Sequence, residues 1–144
     1  MSGQVRVYAR PSGAFGNGHV GLAFLMADGK WTSASVENPN GGPITSPGET
    51  GLWSEISGEA DVGGKFKKRD YTKYKALTVQ TPNWHAARQM LAEWHQQPYE
   101  LVGKNCMDAA FAVLTAYGAK LPTPSSHPKP NDWFKQVQST EKPV

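Results

Sequence analysis

Two strand-like runs meet at Ala27–Asp28–Gly29, and no other stretch restricts the folding of this chain as much. His19–Met26 is a dense apolar run, and Lys30–Glu37 resumes strand character after three residues. Asp-Gly suits the left-handed backbone of tight hairpin turns. The segment therefore predicts a β-hairpin with His19 opening its first strand. An isolated hairpin is not stable in water and must be completed by further strands or a helix.

The rest of the chain supplies both. Gln4–Arg10 alternates Val5, Val7 and Ala9 against Arg6, Tyr8 and Arg10, and Tyr74–Gln80 is again strand-like. Thr81–Pro82–Asn83 opens a helix with Trp84, Ala87, Leu91 and Trp94 on one face, ended by Pro98. Tyr99–Val102 is a short extended link to a second helix. There Met107, Ala110, Phe111, Leu114 and Tyr117 recur at helical spacing until Gly118. Pro11–Gly18 is a glycine-rich approach loop. Asn38–Gly64 lacks periodicity and reads as a long surface excursion with one ordered piece around Leu52–Ile56. The proline-rich tail is pinned by a short helix carrying Trp133 and Phe134. With no repeat and no linker, residues 1–144 are expected to form a single α+β domain, a small antiparallel sheet with helices packed on it.

Composition narrows the chemistry. One cysteine in 144 residues excludes an internal disulfide and any zinc site built from several thiolates. The four histidines are dispersed, so neither a metal nor a cofactor is expected. The net charge of +3 owes much to Lys65, Lys67, Lys68, Arg69, Lys73 and Lys75, interleaved with Phe66, Tyr71 and Tyr74. Such a run tracks a polyanion or, more commonly, forms a solvated loop or strand edge, and the second reading is preferred to nucleic-acid binding. No apolar run reaches the roughly 20 residues of a membrane span. The N-terminus lacks a signal-peptide core, which predicts cytoplasmic synthesis and, for any action outside the cell, a specialised export route.

The lone cysteine falls in the first turn of its helix. Asn105 is a favoured N-cap, and Asp108 can reach back to the cap backbone. Unpaired N–H groups and the helix dipole there favour the reactive thiolate of Cys106. A small buried hydrophobe is the competing reading, and position alone leaves the two level. Thiol catalysis needs an imidazole partner. His85 and His95 sit beside an apolar helix stripe, and His127 stands among prolines with no strand to hold it. His19 opens a strand after Asn17–Gly18, on a face shared with Gly21 and Ala23, small residues that leave room for a helix. The orienting group depends on hairpin register. A two-residue turn pairs His19 with Asn38; a three-residue loop ending in a glycine bulge pairs Gly21 with Glu37 and sets Glu37 diagonally beside His19. Glu37 is preferred, with Asn38 next.

Gly18–His19–Val20–Gly21–Leu22–Ala23–Phe24, the strand ending Val36–Glu37–Asn38, and Asn105–Cys106–Met107–Asp108 together resemble a circularly permuted papain-like fold. In that group, which holds permuted NlpC-type peptidases and lecithin retinol acyltransferase-like enzymes, the histidine strand precedes the cysteine helix. Small secreted amidase-like toxins of bacteria are the most similar members. The resemblance spans about residues 15–38 and 99–134. It implies Cys106 as nucleophile, His19 as base and Glu37 as orienting group, with an amide of a peptidoglycan stem peptide as substrate. It also implies a neutralising immunity protein as partner and delivery to the periplasm of a target cell. The acyltransferase branch often has a second histidine where this chain has Glu37 or Asn38, which weighs against a lipid substrate. The oxyanion is expected on backbone N–H groups at the helix start, with Tyr8 as a further donor. Deamidation or acyl transfer on a protein or lipid, and a non-catalytic binding module with a buried cysteine, are the rival readings.

Overall fold

The computed structural model describes residues 2–12, 18–36, 51–95 and 106–144. β1 (Gly3–Arg10) lies inside a six-stranded sheet, flanked on one side by β2 (His19–Leu25), β3 (Trp31–Val36) and β4 (Leu52–Ser57). On its other side come β5 (Lys73–Val79) and the edge strand β6 (Glu141–Pro143). All five pairings are antiparallel. The α+β expectation therefore holds: the described residues form an antiparallel sheet with four helices.

Alternation in β1 assigns the two faces. Val5, Val7 and Ala9 join Val20, Leu22, Phe24 and Ala34 in the larger core cluster. That face is covered by α2 (Trp84–Trp94), α3 (Cys106–Tyr117) and α4 (Pro130–Gln136). Asn83 caps α2, its Oδ1 accepting from Ala86 N at 3.0 Å. Gly118, at φ +119°, ends α3, and Ala119 N–H returns to Leu114 O at 3.0 Å.

The opposite face carries α1 (Glu59–Lys67), a helix in the stretch expected to be aperiodic. Gly63 and Gly64 hide it from a periodicity reading, each costing about 1 kcal/mol relative to alanine in a helix interior. Packing overrides that cost. Val62 and Phe66, one turn apart, are fully buried, and Phe66 stacks on Tyr8 with ring centroids 3.8 Å apart. Glu59 and Asp61 in the first turn and Lys65 and Lys67 in the last complement the helix dipole.

Two further expectations change. The β2–β3 hairpin has a three-residue turn, with Met26 N–H to Lys30 O at 2.8 Å, Gly29 N–H to Met26 O at 3.1 Å and Gly29 at φ +85°. It pairs Leu22 with Ala34 and Leu25 with Trp31. Neither anticipated register is formed, because the turn closes on Met26–Lys30 and every pair slips accordingly. The basic run, secondly, is not one exposed track. Lys65 pairs with Glu55 at 2.6 Å and Lys73 with Glu141 at 3.1 Å, while Phe66 and Tyr71 point into the core. Among the described residues, no helix is long and apolar enough to cross a membrane.

Candidate active site

Cys106 is the first residue of α3, and the helix is held down by Met107, Ala110, Val113, Leu114 and Tyr117, all buried against the sheet. That packing brings the start of α3 to the start of β2. The N–H of Val20 points at Cys106 Sγ, 3.5 Å away. The β2–β3 ladder runs from the turn to Leu22↔Ala34. Past its end the buried amide of Val20 turns to the sulfur, in keeping with the need of buried N–H groups for an acceptor. An N–H aimed at sulfur also stabilises negative charge there.

His19 is the next residue back along β2. It is 7% exposed and lies opposite Arg10 in the β1–β2 ladder, and Cys106 is 3% exposed. The start of β2 and the start of α3, both singled out in the sequence, thus lie together, although the expected reason needs correcting. Gly21 and Ala23 do leave room for a helix, but that helix is α1. A Cβ at Gly21 would lie 2.6 Å from Phe66 Cε1, and Ala23 belongs to the cluster of Tyr8 and Phe66. The cysteine helix packs instead on Val20, Leu22 and Phe24.

Tyr8 is corrected outright. It is fully buried in the α1-side cluster, across the sheet from Cys106, and its phenol accepts from Arg6 Nη1 at 3.2 Å. Alternation forces this: Tyr8 has the opposite parity to Val7 and Ala9, which face α3. Tyr8 therefore offers the sulfur no oxyanion donor. Glu37, Asn38 and Asn105 lie outside the described residues. His85 and His95 are exposed on α2 and its cap, and His127 is half-buried after a 3-10 turn at Pro124–Ser126. Among the described residues, no three His, Cys, Asp or Glu side chains gather as a metal-binding group.

Asn131 is the residue that sequence reading overlooked. It stands in the first turn of α4, where its Nδ2 donates to Pro11 O at 3.1 Å. Its carboxamide fills the space that a Cβ at Gly18 would need. Gly18 is at φ +94°, a conformation that favours glycine, and immediately precedes His19. Only the sequence distance of 120 residues between Pro11 and Asn131 concealed the contact.

Compared with protein-family models, with curated proteins and with solved structures, the chain shows no significant match to any.

Proposed function

We propose that this protein is a cysteine-dependent amidase or peptidase, with Cys106 as nucleophile and His19 as general base. One observation carries the reading: the amide next to His19 touches the sulfur of the only cysteine, at a helix start 86 residues further on. Alternation starts the His19 side chain on the α1 side of β2, so the proposed base role requires the imidazole to turn round the start of the strand toward the thiol. His19 takes the thiol proton as Sγ bonds to an amide carbonyl carbon, and N–H groups at the start of α3 hold the oxyanion. The imidazolium returns its proton to the departing amine as the C–N bond breaks. Water then attacks the thioester, releasing a carboxylic acid and restoring the thiol.

A peptidoglycan stem peptide is the proposed substrate, reached through specialised export to a target cell's periplasm, with an immunity protein guarding the producer. Glu37 or Asn38 is the proposed orienting group. The test is chromatography of muropeptides after digestion of purified cell wall with the wild type and with Cys106→Ala. New products from the wild type alone support the reading; identical profiles remove the cell-wall substrate. The 3% exposure of Cys106 favours one rival, a binding module with a structural cysteine. That rival predicts slow alkylation of Cys106 whatever stands at position 19.

A further inference from the structure

We propose that Asn131 is a positioning residue for His19, setting where the base strand begins relative to Cys106. The inference rests on the Cys106–His19 reading and adds the device that holds the pair in register.

The rung Arg10↔His19 is the last of the β1–β2 ladder, so residues 11 and 18 are the two strand ends at the mouth of the connecting loop. Asn131 engages both. Its Nδ2 donates to Pro11 O at 3.1 Å, and its carboxamide lies against Gly18, where any side chain would collide with Oδ1 and Cγ. One planar amide therefore spaces the end of β1 from the start of β2. The spacing passes one residue on to His19, and one more to the Val20 amide that meets Cys106 Sγ.

A positioning group needs a rigid mount, and α4 is one. Trp133 and Phe134 are buried, and Trp133 Nε1 donates to Pro122 O at 2.7 Å. At the other end, Lys75 Nζ donates to Phe134 O at 2.8 Å, to Val137 O at 3.0 Å and to Lys135 O at 3.2 Å. The helix that carries Asn131 is thus fastened to both Pro122 and β5. Misplacing a reacting group by about 1 Å can cost on the order of a hundredfold in rate. Freeing the strand end should cost a part of that.

The experiment is the pH profile of Cys106 alkylation by iodoacetamide in the full chain, for the wild type, His19→Ala, Asn131→Ala and Asn131→Asp. Asn131→Asp keeps the shape against Gly18 and turns the Nδ2 donor into a carboxylate oxygen that repels Pro11 O, so it remains informative where Asn131→Ala folds poorly. Both Asn131 variants are expected to alkylate about tenfold more slowly at pH 7, with profiles displaced toward that of His19→Ala. A structural residue with no hold on the base leaves the profile's pH midpoint where it is. If His19→Ala alters the profile and neither Asn131 variant does, positioning by Asn131 is overturned while the base assignment stands. If His19→Ala leaves the wild-type profile unchanged, the base assignment fails and this inference with it.

Discussion

The amide nitrogen of Val20 lies 3.5 Å from the sulfur of Cys106, which ties the first turn of α3 to the second residue of β2. Neither segment carries a local signal for the other. The contact arises because α3 buries Met107, Ala110 and Leu114 on the sheet face formed by Val20, Leu22 and Phe24. This juxtaposition turns a lone cysteine into a candidate nucleophile.

Replacing His19 by alanine should slow alkylation of Cys106 at pH 7 by about 30-fold. That is the ratio between a fully formed thiolate and the few per cent present at an ordinary thiol value near 8.5. Stopped-flow alkylation across pH 5–9 measures it, and equal rates in the two proteins contradict the base role.

Gly21→Ala should destabilise the fold by about 1–3 kcal/mol, as overpacking does, because the new methyl meets Phe66 Cε1 at 2.6 Å. Its alkylation rate should match the wild type, since Gly21 faces α1 and the sulfur faces away. Urea denaturation together with thiol kinetics separates these effects. A large change in alkylation would mean that the two faces of the sheet are coupled.

Lys75→Met should cost about 1–3 kcal/mol, because it leaves the carbonyls of Phe134, Lys135 and Val137 without their shared donor. Burial also holds the Lys75 ammonium below its usual value. A depressed folded value gives stability that is full above the unfolded value near 10.4 and lost as pH falls through the folded one. Wild-type stability relative to Lys75→Met should therefore increase with pH over the alkaline window just below 10.4, as read from urea midpoints.

Two buried phenols act in the other direction. Burial raises both Tyr8 and Tyr117 above the usual tyrosine value, with the bond from Arg6 opposing the shift at Tyr8. A raised folded value gives stability that is whole below the unfolded value near 10 and lost as pH climbs through the folded one. Relative to a Tyr8→Phe/Tyr117→Phe double variant, the wild type should lose stability above about pH 10. Thermal unfolding at stepped alkaline pH reads the difference, and parallel curves contradict it. Tyr117 also donates to Leu25 O at 2.6 Å, so the double variant should be weaker at neutral pH by about 1 kcal/mol.

Much of the secondary structure is legible locally. The alternation of β1, the Asp28–Gly29 turn, the Asn83 cap and the Gly118 stop each place an element where the structure has it. The buried Trp133 and Phe134 mark the last helix as expected. Two elements leave no comparable trace. α1 carries two interior glycines and is held by an aromatic stack on Tyr8, while β6 is a three-residue edge strand fixed by pairing with β5.

The site divides along the same line. The chain by itself determined that its one cysteine opens a helix and that His19 opens a strand, because capping residues, turn residues and periodicity act over a few positions. Tertiary structure alone decided which face each strand residue takes against which helix. It sent Gly21 and Tyr8 to α1, and Val20 to Cys106. It also brought Asn131 to the mouth of a loop 120 residues earlier. A register shift of one residue exchanges the two faces of a strand, and register is set by the sum of packing contacts distant in the chain.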